Sequence, residues 1–307
     1  MAGPEQVDPA DYREFGLLAE NAEELGIPFV PPSVKRVFVE VEPSRRVSAI
    51  VWGDSEPELL LLHGGAQNAH TWDSVALALG RPLVAVDLPG HGHSDGGRGG
   101  SMPAGEGAVE ELASDVAVAA TELAPGASAL VGMSLGGLTS IVLSQKHPEL
   151  VRRHVLVDVT PGVTGDKARS VTDFISGPES FSSFDEILAR TIKYNPGRTV
   201  SSLRRGVLHN AVQRDDGRWV WRWARFRTGG NTSVPDMGAL WDALERADAP
   251  LMLVRGMRPT SVVDDADEAE LRRRRPDARV EHIEGAGHSI QGDAPGELAA
   301  LLADFVP

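Results

Sequence analysis

The chain has 307 residues, 41% of them hydrophobic, with a formal net charge of −14 and no cysteine. That is enough apolar material for one α/β core carrying an insertion, and the acidity argues against nucleic acid and other polyanionic partners, whose binding needs clustered Lys and Arg. The absence of cysteine removes disulfides, thiolate metal sites and a cysteine nucleophile, so covalent chemistry here uses oxygen or nitrogen.

No apolar run approaches the roughly 20 residues of a membrane span. The opening Met-Ala-Gly-Pro-Glu-Gln-Val-Asp-Pro is acidic where a secretory signal is basic and then apolar, so the expected location is the cytoplasm. Residues 15–25 carry a helical pattern ended by Gly26 and Pro28, which makes 1–32 an N-terminal helical appendage. Strand patterns follow at 34–41, 47–52 and 58–63, and then strands alternate with helices: strand 82–87, helix 107–123, strand 127–132, helix 137–147 and strand 154–159. The Gly-rich stretch 96–107 is a loop before its helix. Such alternation predicts a mostly parallel sheet covered by helices on both faces.

The rhythm breaks after Pro161. Residues 162–247 hold aromatic-rich helical fragments, including Phe181-Ser-Ser-Phe-Asp-Glu-Ile-Leu and Trp219-Val-Trp-Arg-Trp, and no buried strand. This span is the expected helical lid, with Trp219, Trp221 and Phe226 as residues that could select an acyl chain or simply pack. Alternation resumes with strand 250–255, helix 264–275, strand 279–283 and helix 294–305, so the core comprises 33–161 and 248–307. The four arginines at 272–275 close a helix that opens with Asp264, Asp265 and Asp267; the helix dipole favours that distribution without any binding role.

The most informative segment is Ala-Leu-Val-Gly-Met-Ser-Leu-Gly-Gly at 129–137, in which Ser134 sits between a strand and a helix with Gly132 and Gly136 two residues away on either side. A serine at the tip of so sharp a turn needs neighbours without Cβ atoms, and its hydroxyl is then held outward as a nucleophile. A serine hydroxyl needs a general base and a group to orient that base. His288 is the candidate base, because Gly285-Ala-Gly-His-Ser-Ile follows the last strand. His91 and His93 have the spacing of a metal pair, but they lie in a tight Gly/Pro turn without a companion carboxylate-histidine helix, so no metal is expected. His209, in the lid, is a candidate substrate contact. An oxyanion needs two backbone donors. Leu61-Leu-His-Gly-Gly-Ala places the N–H of Gly65, or of Ala66, at one strand end, and Leu135 N–H follows the serine; Gly64, Ala66 and Met133 are further candidate substrate contacts.

Taken together, His63-Gly-Gly, Asp87-Leu-Pro-Gly-His-Gly-His-Ser, Gly132-Met-Ser-Leu-Gly-Gly and Gly285-Ala-Gly-His resemble the α/β-hydrolase family over residues 34–305. Leu17-Leu-Ala-Glu-Asn-Ala-Glu, Gln67-Asn-Ala-His-Thr-Trp-Asp and Val157-Asp-Val-Thr-Pro are similar to actinobacterial, mycobacterial-type hydrolases of short-chain esters. The resemblance implies an α/β-hydrolase fold with a mostly parallel eight-stranded sheet and a helical cap, a Ser-acid-His triad, a small-molecule ester as partner and no cofactor. It leaves the oligomeric state open. Most members carry the acid after the strand that here ends at Arg255-Gly256, where this chain has Met257-Arg-Pro-Thr-Ser-Val-Val and no carboxylate. Asp264 and Asp265 come later, at a helix start. A branch of the family instead places the acid where Asp158 stands, so the expected triad is Ser134, Asp158 and His288. The implied activity is serine carboxylic-ester hydrolysis; a thioesterase, a cofactor-free perhydrolase and a C–C bond hydrolase share such a triad, and a non-catalytic receptor would lack one of its parts.

Overall fold

The computed structural model describes residues 9–98, 107–223 and 237–307. In chain order the elements are α1 (Leu18–Leu25), β1 (Val34–Glu42), β2 (Arg45–Trp52), β3 (Leu59–Leu62), α2 (Asp73–Leu79), β4 (Leu83–Val86), α3 (Ala108–Leu123), β5 (Ala129–Met133), α4 (Leu135–Lys146) and β6 (His154–Val157). They continue with α5 (Arg169–Ile175), α6 (Phe184–Tyr194), α7 (Val200–Asn210), β7 (Ala211–Gln213), β8 (Trp219–Trp221), α8 (Leu240–Arg246), β9 (Leu251–Gly256), α9 (Asp265–Arg274), β10 (Arg279–Ile283), α10 (Ile290–Asp293) and α11 (Pro295–Phe305).

Eight strands form one sheet in the order β1-β2-β4-β3-β5-β6-β9-β10. The first two pairings, β1 with β2 and β2 with β4, are antiparallel, and the rest are parallel. Strands β3 to β6 are buried at every residue, as a parallel sheet covered on both faces requires. Alternate residues of β3 divide the interior: Leu60 and Leu62 join Leu112, Val116 and Ile141 beneath α3 and α4, whereas Leu59 and Leu61 join Trp72, Val75, Leu298 and Leu302 beneath α2 and α11.

Parallel pairing brings the carboxyl ends of β3, β5, β6, β9 and β10 to one edge, where ligands bind in open α/β sheets. Asp264 caps α9 by accepting from the Asp267 N–H at 2.9 Å, and Asp267 returns the bond to Asp264 N–H at 3.2 Å. The arginines at the other end pair with Glu268, Glu270, Asp242, Glu245 and Asp277.

Two sequence expectations need correction. Trp219-Val-Trp is a strand, not a helix: it pairs with β7 in an antiparallel hairpin whose turn contains Gly217 at φ 79°. Aromatic and β-branched residues after Asp215-Asp-Gly carry that hairpin signal. Helix α8, inside the span read as lid, packs on α4 through Leu240, Trp241 and Leu244 in the main core. Between β6 and that helix, Phe181, Ile187, Val207 and Ala211 form a small apolar cluster of their own. Phe226 and most of the Gly-rich 96–107 stretch lie outside the described residues. At the N-terminus α1 lies on α2 with Leu17, Leu18 and Ala22 buried, and Glu24 bonds Arg205 of α7.

Candidate active site

Ser134 stands at the β5–α4 junction with φ 50° and ψ −118°, a conformation L residues rarely adopt. The glycines make this possible. A Cβ on Gly132 would lie 2.5 Å from the Gly136 carbonyl oxygen, and one on Gly136 would lie 2.5 Å from that of Leu62. The Ser134 hydroxyl donates to His288 Nε2 at 3.0 Å, and His288 Nδ1 donates to Asp158 Oδ2 at 2.9 Å. Hydrogen bonds of these lengths join the three side chains into one chain.

Asp158 is wholly buried and also has positive φ, 46°. Besides His288 it accepts from Gly256 N–H at 3.0 Å, Ser261 Oγ at 2.6 Å and Val262 N–H at 3.0 Å. The loop after β9, where most relatives were expected to carry the acid, here supplies donors to a carboxylate arriving from β6. A buried charge needs such partners. Asp264, the alternative acid, is taken up by its cap and by Lys167 at 2.9 Å.

Ala66 N–H is bonded to His91 Nε2 at 3.1 Å, which removes it as an oxyanion donor. Gly65 N–H carries no such bond. Its peptide plane is fixed from the other side, because His63 Nδ1 donates to the Gly64 carbonyl at 2.7 Å and a planar peptide points its N–H opposite its C=O. Leu135 opens α4 directly after Ser134, so its N–H lies in the unpaired first turn. His63 itself is locked by Leu88 N–H at 3.0 Å on Nε2. Burial lowers His63, and burial plus neighbouring His63 pushes His91 down to about 3. Both rings are therefore neutral props for the loop, and His91 Nε2, one nitrogen of the pair considered as metal ligands, is taken up by the Ala66 N–H.

A cavity of about 990 Å³ opens over Ser134 and His288 and is bordered by Gly64, Gly65, Ala66, Met133 and His209, all foreseen as site residues. Trp221 faces it alongside Phe174 and Tyr194; Trp219 packs against Phe184 instead. Met133 is almost wholly buried, and its Sδ would sit 2.5 Å from a Cβ at Gly64.

His209 belongs to a polar cluster that sequence reasoning missed. Its ring stacks on His70 at 3.8 Å between centroids, and its Nδ1 is bonded to the Tyr12 hydroxyl at 2.9 Å. His70 Nδ1 donates to Asp73 Oδ2 at 2.9 Å and its Nε2 to Glu14 at 3.2 Å. Burial pushes the His70 ring down, but these two carboxylates outweigh it and raise it to about 9; burial and the adjacent His70 charge hold His209 well below the usual range. Asn210, also unforeseen, donates to the Ala66 carbonyl at 2.8 Å, and Asn68 bonds the His209 carbonyl at 3.1 Å. Ser261 had a signal, a hydroxyl within the segment noted for lacking a carboxylate. The His70 and Asn210 contacts join residues far apart in the chain and had none.

The family model described as alpha/beta hydrolase family matches residues 59–301, and the chain belongs to that family. It is a hydrolase with the α/β-hydrolase fold. Over 297 residues it is 45% identical to esterase Rv0045c of Mycobacterium tuberculosis, covering 94% of each chain. It is 29% identical to a pimeloyl-[acyl-carrier protein] methyl ester esterase of Aeromonas hydrophila, over 81% of this chain and 95% of that one. Among solved structures, one from work on transition metal inhibition and structural refinement of the M. tuberculosis esterase superposes with a TM-score of 0.82 at 43% identity, covering 96% of this chain and 98% of the other. Among the described residues no helix is long and apolar enough to cross a membrane.

Proposed function

We propose that this hydrolase is a serine carboxylic-ester hydrolase acting on small esters with short acyl chains. The observation that carries the reading is the continuous Ser134–His288–Asp158 chain, with bonds of 3.0 and 2.9 Å, opening on the cavity. In this mechanism His288 Nε2 takes the proton of Ser134 as Oγ attacks the ester carbonyl, and Asp158 holds the ring and stabilises the imidazolium. The tetrahedral oxyanion is held by the N–H groups of Gly65 and Leu135. Collapse releases the alcohol, which takes the proton from His288. Water, deprotonated by the same histidine, then cleaves the acyl-serine and restores the enzyme. No step calls for a metal or organic cofactor.

The region from Pro161 to the strand β8 acts in this reading as a cap, its Phe174, Tyr194 and Trp221 bordering the acyl and alcohol groups. The similarity to named esterases supports ester over other acyl substrates. The test is a panel of p-nitrophenyl esters of graded acyl length with matched acyl-CoA thioesters, on wild type and Ser134→Ala. Turnover is expected to peak at short acyl esters and to vanish in the variant, and a serine-directed phosphonate should label Ser134 alone. A peak at long-chain esters or at thioesters would overturn the substrate assignment, and full activity in the variant the mechanism.

A further inference from the structure

Acids outnumber bases in this chain by 44 to 30, yet two arginines on the border of the catalytic cavity, Arg198 and Arg258, form no ion pair among the described residues. Arg198 stands just before α7 and is half-buried. Its Nη2 donates to Ser202 Oγ at 2.5 Å, while its Nε is a buried donor with no partner. Burial holds this guanidinium below its ordinary pKa against the pull of Asp293 and Glu24. Both acids are engaged elsewhere, Asp293 by the Gly287 N–H at 2.9 Å and Glu24 by Arg205. A cation in this setting calls for an anion. Arg258 lies in the loop after β9 that supplies donors to Asp158, and its N–H bonds the Ala286 carbonyl at 2.9 Å, two residues before His288. Both heads rest against glycines. A Cβ on Gly292, four residues after His288, would lie 2.6 Å from the guanidinium carbon of Arg198, and one on Gly197 would lie 2.7 Å from Arg258 Nη1. Side chains at these two positions would displace the charges.

We propose that Arg198 and Arg258 form an anion subsite of the cavity, and that the substrate is an ester carrying a carboxylate away from its scissile bond. This rests on the reading of the cavity as an ester site and names the substrate class within it. A guanidinium presents paired N–H donors that match the two oxygens of a carboxylate, and the unused Nε of Arg198 supplies one of them. The other cations on the border are already neutralised: Arg205 pairs with Glu20 and Glu24, and His70 with Glu14 and Asp73. Glu297 stands on the same border and opposes a second negative charge. A singly charged carboxylate therefore suits the subsite better than a phosphate dianion.

The test compares monomethyl succinate, glutarate and adipate with their dimethyl esters, and acetoxyacetate with its methyl ester, so that the charge sits on the acyl or on the alcohol side. Hydrolysis is followed as acid release at constant pH, and binding of the same esters to Ser134→Ala is measured by calorimetry. Expected for wild type is a kcat/KM roughly ten- to a hundredfold higher for the charged member in at least one series, matched by tighter binding to Ser134→Ala. Arg198→Gln is expected to erase this preference by raising KM for the charged ester, and Arg198→Lys to recover part of it. Arg246→Gln removes an exposed charge on α8, outside the cavity border, and should leave the preference intact. Equal kcat/KM for charged and neutral esters in every series, a preference that survives both Arg198→Gln and Arg258→Gln, or an equal loss on both esters in Arg198→Gln would overturn the proposal. If no ester turned over while Ser134→Ala still bound the charged ester through Arg198, the ester reading would fall and the anion subsite would stand.

Discussion

Ser261 Oγ stands 2.6 Å from Asp158 Oδ1, so the loop after β9 serves the acid delivered by β6. The hydroxyl positions the carboxylate and touches no reacting atom. Ser261→Ala is expected to lower kcat several-fold with KM nearly unchanged, and Ser261→Thr to recover most of the loss. Equal kcat in wild type and Ser261→Ala, measured on a short p-nitrophenyl ester, would leave the acid held by its backbone donors alone.

The two candidate acids separate by amide substitution. Asp158→Asn keeps the shape but is expected to cut kcat by roughly four orders of magnitude, the loss that follows when a serine protease's triad aspartate becomes asparagine. Asp264→Asn is expected to cost about 1 kcal/mol or less of stability in denaturant unfolding, through its cap, and to leave turnover near wild type. The reverse pattern would transfer the role to Asp264.

Acid should destabilise the fold through its buried neutral histidines. Burial holds His91 and His154 at about 3 each, below the usual histidine value of about 6.5 in the unfolded chain. Between those values the unfolded state binds protons that the native state refuses, so stability falls as pH drops through that window and is fully present above it. The slope is on the order of 1.4 kcal/mol per pH unit for each proton. Urea unfolding at several pH values should show a smaller slope in His154→Gln than in wild type.

At the elbow, Gly132→Ala would place a methyl 2.6 Å from the Gly137 Cα, against backbone that cannot rotate away. The expected cost is roughly 1–3 kcal/mol or more, with turnover falling further because Ser134 must shift. A fully active, equally stable Gly132→Ala would remove the steric reason for this glycine. Gly126→Ala, which meets open space, is the control.

Most of the core was legible because each strand carries its own signal: four consecutive leucines in β3, or the glycines around Ser134, mean the same thing wherever the chain later goes. Asp158 was reachable because the segment after Arg255 lacks a carboxylate. Its strain and its four donors were not, since Ser261 and Val262 reach it only through the pairing of β6 with β9. The Trp219–Trp221 strand was misread because alternation over three residues is too short to outweigh helical surroundings. The His70–His209 stack joins positions from two regions that local pattern cannot bring together.

Asn210→Ala is expected to lower kcat several-fold while leaving unfolding close to wild type, because it frees the Ala66 carbonyl without opening the core. Unchanged kcat would show that the loop is held without the Asn210 bond, by His63 and His91.

Ala66 is held at φ 60° by two opposed bonds, its N–H to His91 in the core and its carbonyl to Asn210 at the end of α7. One peptide neighbour thus answers to both halves of the molecule. Under the proposed mechanism, an outward movement of α7 that admitted a bulkier ester would carry Asn210 away from the Ala66 carbonyl, next to the proposed Gly65 donor. On that reading, widening the entrance and arming the oxyanion site would be opposite ends of a single coordinate, and substrate size would be read as a rate before it is read as a fit.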